Sequence, residues 1–128
     1  MDKSRRKAII SLVQERGRNV RLVENASPKV LNRIKECQNG VPIPSAVQYT
    51  NALEAIARLE PAWSALSGAE QDILMELYGR QRLRNGAAYR LAMALEITER
   101  QVFRRSAEAL QHFYDALQNH GLLQEESI

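Results

Sequence analysis

Apolar residues recur along this chain at three- and four-residue intervals, and no stretch alternates them one by one between turn signals. That period belongs to amphipathic helices and not to strands, so the pattern predicts an all-α protein of five to six helices. The first helix is expected over 3–24, with Ile9, Val13, Val20 and Val23 on one stripe, widened by Ala8 and Leu12. Arg16 stands where the stripe asks for an apolar residue. Gly17 beside it weakens a helix by about 1 kcal/mol relative to alanine, so a break near 17–19 is expected. The near-heptad spacing suits two uses: packing on the helix's own domain, or pairing with a second copy.

Capping and breaking residues punctuate the rest. Ser27-Pro28 starts a second helix with Val30, Leu31, Ile34 and Cys37 on its stripe, and Asn39-Gly40 stops it. Val41-Pro42-Ile43-Pro44 is an extended connector. Ser45 caps a third helix from Ala46 to near Leu59, with Val47, Tyr49 or Thr50, Leu53, Ile56 and Ala57 inward. Pro61 ends or kinks it, and Trp63 and Leu66 follow as anchors. Ser67 and Glu70 make a capping box that opens a fourth helix to Tyr78, its inner side Ile73, Leu74, Leu77 and Tyr78, closed by Gly79. After a loop over 80–86, a fifth helix is expected over 87–95, with Ala88, Leu91, Ala92 and Leu95 inward. Glu96-Ile97 turns the chain. Thr98 and Gln101 form a second capping box for a sixth helix that runs to Asn119 and stops at His120-Gly121. The organisation expected is a helical N-terminal extension over 1–44, comprising a candidate dimerisation segment and a proline-containing linker. A helical domain follows over 45–120, then a frayed tail over 121–128.

Charge changes this picture through its type and placement. Eighteen Lys and Arg against fifteen Asp and Glu leave only +3, but fourteen of the cations are arginine. Arginine offers a planar fork of donors suited to phosphate and to guanine edges. One group lies within 1–22; the other, over 80–105, comprises Arg80, Arg82, Arg84, Arg90, Arg100, Arg104 and Arg105. The lone Cys37 excludes an internal disulfide and a cysteine-based metal site. No apolar run approaches the roughly 20 residues of a membrane-spanning helix, and no apolar segment follows the charged N-terminus as in a signal peptide. The expectation is therefore a cytoplasmic protein with no membrane partner. Gly-rich phosphate loops, H-E-x-x-H runs and serine elbows are missing, and His112 and His120 stand eight apart without a cysteine nearby. No enzyme activity, cofactor or metal is expected.

The second arginine group falls within a helix-turn-helix pattern at 87–113. Ala92 is the small residue where the helices meet, Ile97 the turn anchor, and Val102, Ser106, Ala109, Leu110 and Phe113 the packed stripe. The start of the second helix is rich in donors. Arg100 and Arg104, four apart, share a face that suits guanine edges or phosphates; Gln101 suits adenine. Thr98 and the free first-turn amides suit a phosphate. Arg105 completes this set, and Arg82, Arg84 and Arg90 flank it to add salt-dependent affinity.

The residues Leu66, Glu70, Ile73, Leu74, Ile97, Thr98, Arg100, Val102, Phe103, Arg104, Ala109 and Leu110 carry a resemblance. The segment from Leu66 to Phe113 resembles the region-four helix-turn-helix of bacterial sigma factors. It looks closest to phage late-gene activators of the ArpU and RinA type. The resemblance covers under half of the chain. It implies a sequence-specific duplex-DNA-binding transcriptional regulator, phage or prophage encoded, with RNA polymerase as a further partner. A homodimer is expected because one short recognition helix alone rarely reaches the roughly nanomolar affinity of specific sites. The chain departs from the family at Arg105, where an apolar residue is usual. Arg105 must then extend to solvent or leave the packing role to Ser106. It also lacks the usual G-x-(S/T) entry to the fifth helix. The alternative is a helical protein-interaction module that docks on RNA polymerase, another regulator or a phage packaging complex.

Overall fold

Asp2 opens the first helix. Its Oδ1 accepts from the Arg5 amide at 2.8 Å, satisfying one of the donors that every helix start leaves unpaired. The computed structural model of the chain describes residues 1–26, 32, 44–79 and 86–123. The second helix expected from Ser27, with Cys37, and the connector ahead of Pro44 lie outside the described residues except for Asn32, which is helical. Among the described residues there are five α-helices and no strand, so the fold is all-α.

Helix α1 (Lys3–Glu24) runs unbroken through Gly17, against expectation. Gly17 is buried against Gly79, and a Cβ added to it would stand 1.9 Å from the Gly79 carbonyl oxygen. The residue that weakens the helix is the one that lets two backbones touch. Arg21 Nη1 donates to the same carbonyl at 2.7 Å. Arg16 also finds a reason. Its guanidinium lies 4.7 Å from the Trp63 ring centroid and 3.1 Å from the Glu60 carboxylate, with the side chain 11% exposed. A cation over an indole face fits an apolar stripe better than its charge suggests.

Helix α2 (Pro44–Ser64) passes through Pro61 rather than ending near Leu59. An interior proline costs about 3 kcal/mol. Continuing the helix carries Ala62 and Trp63 into the core beside Leu59, and burial of a large side chain contributes about 1.5–3 kcal/mol. The inner face also differs from expectation. Val47 and Leu53 are exposed, Ala57 too, while Ala46 and Ala52 are buried. Alanines on the contact side permit a closer approach of neighbouring helices than branched residues do.

Helix α3 (Gly68–Leu74) forms its expected capping box: the Glu70 amide donates to Ser67 Oγ at 3.1 Å, and the Ser67 amide to Glu70 Oε1 at 3.0 Å. At Met75 the helix widens into one π turn (Met75–Gly79), so Gly79 is a buried packing residue and more than a stop. Helix α4 (Ala87–Leu95) begins after Gly86, whose φ of 92° suits glycine. Ala87 and Ala92 are its buried residues, Ala88 and Leu91 are half-buried, and Leu95, expected inside, is exposed. Helix α5 (Glu99–Asn119) ends at Gly121, where the Leu122 amide donates back to the Leu117 carbonyl at 2.8 Å. Leu122 and Leu123 pack on the core, so these two residues of the expected tail are part of the fold.

Two clusters hold the helices together. The larger joins Ile9 and Val13 of α1, Leu59, Ala62 and Trp63 of α2, Leu66, Leu74 of α3, and Ala109, Leu110, Phe113, Ala116 and Leu117 of α5. Trp63 meets Phe113 edge to face, with centroids 5.4 Å apart. Ile9 and Val13 of the α1 stripe are thus core to its own fold, while Val20 and Val23 are half-buried. The smaller cluster joins Ile73, Leu77, Ala87, Ala92 and Val102, and fixes α4 against α5 and the π turn. Among the described residues no helix is long and apolar enough to cross a membrane.

Candidate nucleic-acid interface

Between α4 and α5 the chain reverses in three residues. Glu96 adopts the left-handed conformation at φ 57°, its amide donating to Met93 O at 3.3 Å, and the Ile97 amide donates to Ala92 O at 3.0 Å. This is a Schellman ending, and the apolar contact that accompanies it is present: Ile97 packs with Ala92 and Val102. Thr98 then caps α5, its Oγ1 accepting from the Gln101 amide at 3.1 Å, while Gln101 Oε1 accepts from the Thr98 amide at 2.9 Å. A helix end and a helix start, each with its own capping motif, meet with one anchor between them.

This geometry sorts the expected site residues. Thr98 keeps its hydroxyl proton, and the Glu99 and Arg100 amides head the first turn of α5, so three donors are directed past the N-terminus. Gln101 is half-buried and its oxygen is committed to the cap. Bidentate reading of adenine needs both the amide oxygen and nitrogen, so Gln101 would have to abandon the capping box to perform it. Arg100, Arg104 and Arg105 are exposed. Ser106, fully buried, takes the packing role next to Arg105, and its Oγ donates to the Phe103 carbonyl at 2.8 Å. Arg90 is exposed on α4, with Nη1 3.6 Å from where a Cβ on Gly86 would stand. Arg82 and Arg84 lie outside the described residues, as does Arg80.

The arginines divide by what they touch. Arg5 stacks on Tyr114, Arg6 donates to the Tyr78 hydroxyl, Arg16 pairs with Glu60, and Arg21 holds Gly79. Among the described residues, by contrast, no hydrogen bond or ion pair engages the side chains of Arg90, Arg100, Arg104 or Arg105. The first set serves the fold. The second presents open donor forks to solvent.

A feature absent from the sequence reasoning braces the unit from behind. His112 Nδ1 of α5 pairs with Glu70 Oε2, while the other oxygen of that carboxylate closes the α3 capping box. The hydrogen bond to Glu70 raises the His112 pKa above its ordinary value; desolvation works against it, and the negative charges of Glu70, Asp115 and Glu108 add to it. Burial pushes Glu70 up, but the Ser67 amide and His112 together hold it below its ordinary value. The two residues are 42 positions apart, and no local pattern announces such a pair.

Among the described residues no group of three His, Cys, Asp or Glu is placed to hold a metal ion. An open depression of about 360 Å³ at the C-terminal end of α1 is lined by Arg18, Arg21, Leu22 and Asn25, which offer donors but no acid–base pair. Compared with protein-family models, curated proteins and solved structures, the chain matches none.

Proposed function

We propose that α4, the Glu96–Thr98 turn and α5 act as a helix-turn-helix that sets the start of α5 into the major groove of duplex DNA, and that the protein regulates transcription. The observation that carries this reading is the set of unengaged arginines: Arg100, Arg104 and Arg105 in the first two turns of a capped helix, with Arg90 on the preceding helix. Phosphates and guanine edges are the ligands such forks match. The resemblance to sigma region four and to phage activators supports a phage or prophage setting, with RNA polymerase as protein partner and the cytoplasm as location. One short recognition helix rarely reaches the nanomolar affinity of specific sites, so the proposal includes two copies on a two-fold site. Pairing would use a surface other than the Ile9–Val13 stripe, which is buried.

Titration of a labelled duplex at several salt concentrations tests the proposal. Each phosphate contact contributes about 0.9 to the slope of log K against log salt. Arg100→Ala with Arg104→Ala is expected to weaken binding at least tenfold and to flatten that slope by about one to two units. Absence of binding at low salt, or indifference to both substitutions, would sink it.

A second reading has one observation in its favour. Tyr89 and Met93, one turn apart on α4, are 57% and 63% exposed. An exposed aromatic–methionine pair suits a protein partner, so α4 would dock on RNA polymerase, another regulator or a packaging complex. Loss of a nuclease-resistant complex in Tyr89→Ala with Met93→Ala, with duplex binding absent in the parent, would favour it.

A further inference from the structure

The exposed stripe of α5 begins Arg100, Phe103, Arg104, Ala107, a three–four–seven spacing that puts all four on one side of the helix, with Val102 and Ala109 across it and Phe103 at the edge next to the buried Ser106 and Leu110. All four are exposed, and Phe103 is 52% exposed. Phe103 packs in neither apolar cluster, unlike Phe113 on the same helix. A single exposed phenylalanine is ordinary on a protein surface. Its position is what matters here: it lies between Arg100 and Arg104 in the chain, beside their shared face and within two turns of the capped start of α5.

We propose that Phe103 is a thymine-selecting residue, its ring meeting the C5-methyl group of a thymine while Arg100 and Arg104 hold phosphates or guanine beside it. This rests on the DNA reading above and adds to it the base class that the helix prefers. Charge complementarity chooses the occupant: an exposed ring on a face that also carries two unengaged cations suits a polyanion that also offers an apolar group. In the major groove that group is the thymine methyl, which cytosine, adenine and guanine lack. The Ser106 hydroxyl, bonded to the Phe103 carbonyl, fixes the backbone from which the ring projects. From sequence, Phe103 entered only among the residues that carry the family resemblance.

The test uses the full chain and duplexes it selects from a randomised pool. Thymines in a selected duplex are replaced one at a time by deoxyuridine, which lacks only the methyl group. At one position the replacement is expected to weaken binding about fourfold, the worth of one buried methyl-sized group. Phe103→Ala is expected to bind the thymine and deoxyuridine duplexes equally while keeping the parent's salt slope and thermal midpoint. Phe103→Leu is expected to retain part of the preference. If the parent binds selected duplexes but no replacement changes affinity, or if Phe103→Ala keeps the preference, this inference falls and the DNA reading stands. If no duplex is selected at all, both fall together.

Discussion

Gly17 pulls in opposite directions at two levels. As a helix residue it is about 1 kcal/mol worse than alanine, so a propensity argument makes Gly17→Ala stabilising. As a packing residue it has no room: the new Cβ would meet the Gly79 carbonyl oxygen at 1.9 Å, and backbone cannot swing aside as a side chain does. That oxygen also receives Arg21. Gly17→Ala is expected to lower unfolding free energy by roughly 1–3 kcal/mol, within the range for overpacked cores, as measured by urea denaturation. An unchanged or raised midpoint would show that α1 does not lie against the π turn. From sequence, Gly17 was visible only as a weakness, because close approach depends on a partner 62 positions away.

Among the elements, α5 carries two kinds of linkage, one legible and one hidden. Its cap, turn anchor and buried stripe followed from local spacing, since capping boxes and helical periods are short-range chemistry. So did the α3 capping box. The inner face of α2 did not follow, because hydrophobicity favoured Val47 and Leu53 while close helix packing took Ala46 and Ala52. The π turn and the bridge from His112 to Glu70 likewise depend on tertiary contacts. That bridge has a pH signature. His112, with a raised pKa, contributes stability fully below about pH 6.5 and loses it as pH rises through its folded value. Glu70, with a lowered pKa, contributes above about pH 4.5 and loses it as pH falls through its folded value. The coupling is expected to be strongest between those two limits. Because His112 is exposed, a double-mutant cycle with His112→Ala and Glu70→Ala should give no more than about 1 kcal/mol near pH 5.5, and less at pH 8. A cycle flat across that range would remove the ion pair.

For the whole molecule, the sequence suggested an N-terminal extension before a domain, and the structure describes α1 inside the core. Ile9 and Val13 are fully buried in one cluster with residues of α2, α3 and α5. Removal of residues 1–26 is therefore expected to abolish cooperative unfolding, read by the loss of a sharp thermal transition, rather than to release a stable C-terminal unit. A truncated chain that melts cooperatively near the parent's midpoint would refute this. The same unit shapes any assay of the DNA proposal, since the α4–α5 pair should be studied with α1 attached.

The burial of α1 against α5 also sets a schedule. Val13 and Leu110 share one core yet are roughly a hundred residues apart in the order of synthesis. At about 5–20 residues per second, the ribosome leaves the apolar stripe of α1 without its final partners for some five to twenty seconds. Contacts of such long separation also slow closure of the core once the chain is released. Helix α1 thus waits for the last of its partners, and nascent chains stalled before α5 would carry a partly uncovered apolar stripe into the range of chaperones and proteases.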